Sequence, residues 1–295
     1  MPRIQTNQIE LEYEQFGPAS GDPLLLIMGL GAQMIHWDEE FIGLFVDRGY
    51  HVTRFDNRDV GLSTKLEAAG PVNVLQVMQQ ARSGEKPDVP YTLDDMADDT
   101  AGLLDGLEID AAHVVGASMG GMVAQTLAIR HPARVRSMVS IMSSTGNPDL
   151  PPAKPEAMAM LMRPPADSRE AAIENTLVAR RLLAGTVHAF DEERARANAE
   201  RAYDRCFYPV GQGRQTAAIM AHGSRTDALS KLDVPTLVIH GDADPLVPIE
   251  GGQDTARCVP GADLMIVEGM GHDLPPAAWT RIVDAIHVHT EKARH

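Results

Sequence analysis

Short apolar runs alternate along this chain with longer segments in which apolar residues recur every three to four positions. Strands that are apolar on both faces are typical of a parallel sheet covered by helices on each side. A hairpin-like opening spans residues 4–15, and six strand-like runs follow it: 24–28, 51–55, 112–116, 135–142, 236–240 and 264–267. The pattern predicts an α/β fold with a mostly parallel central sheet flanked by helices.

The segments between the runs predict helices, of which 92–107 and 119–130 are the clearest. Thr92 and Asp95 have the spacing of a capping box at the start of the first helix. Further acidic residues crowd its first turns: Asp94, Asp98 and Asp99. Acidic side chains stabilise a helix N-terminus through its dipole, so this charge run is interpreted as a solvated helix start and not as a metal site.

The strand rhythm stops near Ser144 and resumes only at Pro235. The segment 146–231 has a helical pattern with proline pairs at 151–152 and 164–165. It contains 12 basic and 11 acidic residues, a net charge of +1 that leaves −16 on the rest of the chain. The prediction is therefore a core formed by 1–145 and 232–295, with 146–231 inserted as a helical cap.

Composition narrows the function classes. A net charge of −15 over 295 residues argues against nucleic-acid binding, which needs basic side chains against phosphates. The N-terminus lacks an apolar signal region and the longest apolar run, 24–30, is too short to span a bilayer, so we expect a cytoplasmic location and no transmembrane segment. Two cysteines, Cys206 and Cys258, are too few for a disulfide framework or a zinc cluster, and two buried, reduced thiols are expected. We expect no metal and no organic cofactor.

A candidate nucleophile stands between a predicted strand and a predicted helix. Residues 116–120 read Gly-Ala-Ser-Met-Gly, a Gly-x-Ser-x-Gly pattern that is a weak signal alone and a much sharper one between a predicted strand and a predicted helix. A sharp strand-to-helix turn brings the backbones two positions before and after the serine together, which requires small residues such as Gly116 and Gly120. Ser118 is the predicted nucleophile.

A serine hydroxyl needs a base to remove its proton, and the base needs a carboxylate to orient it. Loops after two later predicted strands supply these groups: Asp242 and Asp244 follow the run 236–240, and His272 follows the run 264–267. The chain order is serine, aspartate, histidine, which is the order of the α/β-hydrolases. Spacing alone does not decide which of the two aspartates orients the histidine.

Five motifs in order give the chain a resemblance to α/β-hydrolase-fold serine esterases and lipases: residues 28–31 (Met-Gly-Leu-Gly), 56–63, the Ser118 turn, 241–248 and 269–272 (Gly-Met-Gly-His). The resemblance covers nearly all of the chain outside the cap. Finer details are similar to the aclacinomycin-methylesterase-like and LipG-like branch: Asp59, where many relatives have glycine, Trp37, and Leu274-Pro275 after the histidine motif.

The resemblance implies roles for individual residues. Ser118 would be the nucleophile, His272 the general base and then the acid, and Asp244 the orienting carboxylate, because the family acid precedes the residues matching 245–247. Asp242 is then expected to fix its loop. The backbone N–H groups of Leu30 and Met119 would form the oxyanion hole. Many relatives have histidine where this chain has Met28, which changes a neighbouring contact but no backbone donor.

Several other residues are candidates for substrate contact, most of them with an alternative structural interpretation. Gly29, His36 and Trp37 lie in or after the glycine loop and are candidates for substrate binding, with packing against the core as the alternative for His36 and Trp37. Met158 and Met162 lie in the cap, where flexible methionines suit an acyl-chain entrance, a lipid surface or ordinary packing. Asp56 and Arg58 would contact substrate or form an ion pair that fixes their loop.

The function expected from these residues is hydrolysis of carboxylic esters through an acyl-enzyme, with an apolar acyl or methyl ester between core and cap. Enzymes with the same triad are the alternatives: a thioesterase or phospholipase, an acyltransferase, or a cofactor-free perhydrolase of the haloperoxidase type. A non-catalytic receptor for a small ligand is the alternative from another class. The expected partner is a small ester, with peripheral lipid contact and either a monomer or a homodimer left open.

Overall fold

An eight-stranded sheet forms the centre of the computed structural model, which describes residues 2–187 and 189–293. The strands are β1 Arg3–Thr6, β2 Ile9–Phe16, β3 Asp22–Ile27, β4 Tyr50–Phe55, β5 Ala112–Ala117, β6 Val135–Ile141, β7 Thr236–Gly241 and β8 Asp263–Val267. Their order across the sheet is β1-β2-β4-β3-β5-β6-β7-β8. The first two are antiparallel to their neighbours and the rest run parallel, which confirms the predicted mostly parallel sheet.

Helices cover the sheet and follow most of its strands. They are α1 Glu39–Val46, α2 Val74–Ser83, α3 Leu93–Gly106, α4 Met119–Arg130, α5 Pro155–Leu161, α6 Arg169–Leu183, α7 Glu192–Arg205, α8 Pro209–His222, α9 Thr226–Leu229, α10 Ile249–Cys258 and α11 Pro276–Lys292. In the described ranges, none of these helices combines the length and the apolar character that crossing a membrane requires.

The alternation of side chains along the central strands divides the core in two. Leu25 and Ile27 of β3 pack with α3 and α4 on one face of the sheet. Leu24 and Leu26 point to the other face and pack with α1 and α11. Strands that are buried on both faces need apolar residues at every position, which is why the sequence shows continuous runs and no polar alternation.

The acidic start of α3 is a capped helix end, as predicted. Thr92 accepts a hydrogen bond from the backbone of Asp94, and the Asp95 carboxylate accepts one from the backbone N–H of Thr92. Asp98 pairs with Arg130, with 2.7 Å between Oδ2 and Nη2. Across residues 2–187 and 189–293, no group of three or more histidine, cysteine or acidic residues could hold a metal ion.

Helices α5 to α9 lie between β6 and β7, in the region that the sequence marks as an insertion. Helices α6 and α7 share a small apolar cluster of their own, formed by Ile173, Leu177, Ala195 and Ala199. Helix α8 differs, because its Ala218 belongs to the large core beneath the sheet. Helices α6 and α7 therefore pack on each other, whereas α8 packs into the large core.

Both cysteines are free thiols, but the prediction that they are buried is wrong. Cys206 and Cys258 are each partly exposed. Cys206 caps the end of α7 and Cys258 is the last residue of α10, and these helix ends lie near the surface.

Candidate active site

Ser118 lies at the sharp turn between β5 and α4. Its backbone has φ +55° and ψ −120°, a conformation that non-glycine residues rarely adopt. A Cβ on Gly116 would lie 2.1 Å from the carbonyl oxygen of Gly120, and a Cβ on Gly120 would lie 2.1 Å from that of Ile27. The turn therefore needs glycine on both sides of the serine, in agreement with the reason given for the motif.

Three side chains from three loops form a continuous hydrogen-bonded chain. The Oγ of Ser118 lies 2.9 Å from Nε2 of His272, and Nδ1 of His272 lies 2.7 Å from Oδ2 of Asp244. A carboxylate only accepts hydrogen bonds, so Nδ1 carries the proton and Nε2 is left to accept from the serine hydroxyl. This series of hydrogen bonds can move a proton from Ser118 to His272.

The two aspartates of the loop after β7 have different partners. Oδ1 of Asp244 accepts from the backbone N–H groups of Leu246 and Val247, at 2.8 and 2.9 Å, which leaves Oδ2 for the histidine. Asp242 instead accepts from the backbone N–H of Gly269, at 2.6 Å, and so ties its loop to the histidine loop. The geometry couples Asp244, and not Asp242, to His272.

A second histidine, His240, lies beside the carboxylate. Its Nε2 is 3.7 Å from Oδ2 of Asp244 and donates to the carbonyl oxygen of Val247, at 2.8 Å. Burial is the largest influence on this ring and lowers the pKa of His240. A neutral His240 does not compete as a cation for the Asp244 carboxylate, which therefore pairs with His272.

The glycine loop after β3 lies directly against the serine. A Cβ on Gly29 would be 3.2 Å from both the Ser118 Cβ and the Ala117 carbonyl oxygen. Met119 is the first residue of α4, where backbone N–H groups have no partner inside the helix. Within the ranges that the structure describes, the N–H groups of Leu30 and Met119 have no hydrogen-bond acceptor. Both donors are thus free to bind an oxygen of a ligand.

The remaining candidate binding residues lie in different environments. His36 is half-buried, and burial together with the positive charge of Arg180 lowers its pKa to about 3, so the imidazole is neutral at neutral pH. Trp37 is 1% exposed and stacks on Phe41 with ring centroids 5.7 Å apart, so the geometry supports packing in the core for this residue. Met158 and Met162, on and just after α5, are 41% and 38% exposed.

Asp56 and Arg58 form ion pairs, but not with each other. Asp56 pairs with Arg205 of the insertion, with 2.7 Å between Oδ2 and Nη1, and accepts from the backbone N–H of Met34. Arg58 pairs with Asp99 of α3 at 2.6 Å. Each pair fixes the loop after β4, in agreement with the ion-pair alternative, and both partners lie outside that loop.

Sequence reasoning missed the contacts between the insertion and the histidine loop. The backbone N–H of His272 donates to the carbonyl oxygen of Leu183 at the end of α6, at 2.8 Å. A Cβ on Gly271 would lie 2.1 Å from the same oxygen, which explains the glycine before the histidine. The repeated glycines of the motif were the only local signal of this close approach.

A buried ion pair between α8 and the loop after β4 was also missed. Arg214 donates from Nε and Nη2 to the two carboxylate oxygens of Asp59, at 2.8 and 2.7 Å, and both side chains are fully buried. Asp59 has φ +67°, a backbone conformation that favours glycine. The unusual aspartate was visible in the sequence, but its partner 155 residues away was not.

Comparisons with known proteins agree with the fold described above. Residues 22–275 match the sequence model described as alpha/beta hydrolase fold, and the chain belongs to this family. It is 28% identical to rhodomycin D methylesterase DnrP of Streptomyces peucetius over 315 aligned positions, covering 98% of each chain. It is also 30% identical to a 2-hydroxymuconate semialdehyde hydrolase of a Pseudomonas species, over 68% of each chain.

Among solved structures, the chain is similar to the meta-cleavage product hydrolase CumD of Pseudomonas fluorescens. The TM-score is 0.74 at 22% identity, and the alignment covers 100% of this chain and 96% of the other. At this identity the similarity defines the fold alone.

Proposed function

We propose that this protein is a serine hydrolase that cleaves carboxylic esters through an acyl-enzyme intermediate. The observation that carries the proposal is the hydrogen-bonded chain from Ser118 through His272 to Asp244 at the end of β5. Membership of the alpha/beta hydrolase family and the two methylesterase relatives, DnrP and DauP, support a hydrolase acting on ester bonds.

Ser118, His272 and Asp244 each have a role in the proposed mechanism. Ser118 Oγ attacks the ester carbonyl carbon while His272 Nε2 takes the hydroxyl proton. Asp244 holds the ring in the required tautomer and stabilises the imidazolium that forms. His272 then protonates the leaving alcohol, and a water molecule activated by the same histidine releases the acid from Ser118.

The negative charge that develops on the carbonyl oxygen needs preset donors. The backbone N–H groups of Leu30 and Met119 are the proposed oxyanion hole, because both lack an acceptor within the described ranges and flank Ser118. Gly29 leaves room for the substrate carbonyl between the two loops. A side chain at Gly29 would press against Ser118.

The proposed substrate binds between the core, 1–145 and 232–295, and a helical cap formed by 146–231. The exposed apolar side chains of Met158 and Met162 on the cap support an ester with an apolar acyl group or a methyl ester. We do not assign substrate contact to Trp37, because it is enclosed by the core.

The proposal is tested by the turnover of p-nitrophenyl esters of graded acyl length and of methyl esters, with Ser118→Ala as the control. Wild type should cleave at least one series and Ser118→Ala should cleave none. Absence of turnover for every ester by folded wild type would contradict the proposal. Tight ligand binding without turnover would instead favour a receptor on the same fold.

A further inference from the structure

One buried amide in the insertion connects two loops of the core. Gln215 of α8 is fully buried, and its Oε1 accepts from the backbone N–H of Gly31 at 2.8 Å. Its Nε2 donates to the carbonyl oxygen of Arg58 at 2.9 Å. One side chain thus bridges the glycine loop after β3 and the loop after β4.

The bridge is held rigidly because α8 itself is fixed to the core. The neighbouring Arg214 forms the two-point ion pair with Asp59, and its guanidinium also donates to the carbonyl oxygen of Gly70, at 2.7 Å. One turn earlier, a Cβ on Gly211 would lie 2.0 Å from the carbonyl oxygen of Asp59, so helix and loop are in direct backbone contact. The position of the Gln215 amide is therefore set by contacts of the residues that precede it in α8.

The glycine loop depends on this outside support. Its own structure is a turn closed by one hydrogen bond, from the N–H of Ala32 to the carbonyl oxygen of Gly29 at 3.2 Å. Within the turn, Gly31 has φ +65°. The turn requires a positive φ at this position, which glycine or a similarly tolerant residue can adopt. The Gln215 contact fixes the Gly31 amide, and with it the peptide that follows Leu30.

We propose that Gln215 is a positioning residue that presets the glycine loop so that the Leu30 N–H points at the developing oxyanion. This inference rests on the proposed esterase mechanism and extends it into the insertion. Gln215 does not touch the substrate, and its effect is transmitted through Gly31. Preset donors stabilise a transition state more than a ground state, because they need no reorganisation during the reaction.

The test replaces Gln215 by leucine, which has a similar volume and no hydrogen bonds, and by glutamate, which retains an acceptor for Gly31 but no donor for Arg58. For Gln215→Leu we expect kcat to fall by about tenfold to a hundredfold with little change in KM, as for a small displacement of a catalytic group. Gln215→Glu should recover part of the loss. The matched control is Thr216→Val, at the next position of α8, whose hydroxyl donates within the helix to the carbonyl oxygen of Gln212.

Binding of a transition-state analogue distinguishes the proposed positioning role of Gln215 from a merely structural role. The inhibition constant of an alkyl boronic acid should rise in Gln215→Leu by the same factor by which kcat/KM falls, while Thr216→Val leaves both unchanged. Unchanged kcat in folded Gln215→Leu, or a loss of kcat without the matching loss of boronate affinity, would overturn the assignment. If wild type neither cleaves esters nor binds the boronate, the proposed function itself is contradicted. This outcome differs from failure of the Gln215 proposal, because it is seen in wild type without any change at Gln215.

Discussion

At the scale of single residues, hydrogen bonding separates two aspartates that the sequence could not separate. Asp242 and Asp244 stand two positions apart in one loop, and both are carboxylates with backbone partners. Of the two, Asp244 is the one that reaches His272, with its Oδ2 2.7 Å from Nδ1 of the ring. The two residues therefore offer a matched pair of variants.

Asp244→Asn is expected to lower kcat by about a thousandfold to ten-thousandfold, because an amide no longer holds His272 in the tautomer that accepts from serine. Asp242→Asn should remain close to wild type, since an amide oxygen still accepts from the N–H of Gly269. Steady-state kinetics on one ester, with circular dichroism as a check on folding, measures both. Equal losses in the two variants would contradict the assignment of the acid.

At the scale of elements, the strands and α3, α4 were predictable and the contacts between elements were not. The apolar runs at 112–116 and 236–240 coincide with β5 and β7 within a residue, because burial on both faces leaves a local signature. The Gly-x-Ser-x-Gly turn also has a local signature in the sequence. The docking of α8 was not, because an amphipathic helix shows which face is apolar but not which surface covers it.

Two glycines in helices allow the turn to be tested against a control. A Cβ on Gly120 would lie 2.1 Å from the carbonyl oxygen of Ile27, so Gly120→Ala should destabilise the protein by about 1 to 3 kcal/mol through overpacking and should lower activity. A Cβ on Gly43 in α1 would meet no atom within 4 Å, so Gly43→Ala should stabilise by about 0.5 to 1 kcal/mol. Urea unfolding gives both free energies, and the same sign for both would contradict the packing described for the turn.

At the scale of the whole molecule, the insertion is joined to the core by buried charges. Arg205 pairs with Asp56 and Arg214 pairs with Asp59, and both carboxylates are fully buried in the loop after β4. In this loop, Asp56 also accepts from the backbone N–H of Met34, in the segment that follows the glycine loop. Local sequence patterns did not indicate these pairs, since their members are separated by more than a hundred residues and are brought together by the fold.

Breaking one of these pairs should cost more than breaking an exposed one. Arg214→Met leaves Asp59 buried without its cation and is expected to destabilise the protein by about 3 to 5 kcal/mol. The double variant with Asp59→Gly should recover much of the loss, because it removes the orphaned charge and places glycine at φ +67°. A double-mutant cycle by urea unfolding measures the coupling, with the exposed pair of Arg169 and Asp204 as the control that should change little. Additive effects at Asp59 and Arg214 would contradict the pairing.

The central claim is an activated serine at the end of β5, and covalent labelling tests it most directly. Wild type and Ser118→Ala are each treated with an alkyl fluorophosphonate, and the intact proteins are weighed by mass spectrometry. We expect one adduct on wild type and none on Ser118→Ala, because His272 Nε2, 2.9 Å from Ser118 Oγ, activates this serine for the reaction. No adduct on folded wild type, or the same adduct on Ser118→Ala, would contradict the account.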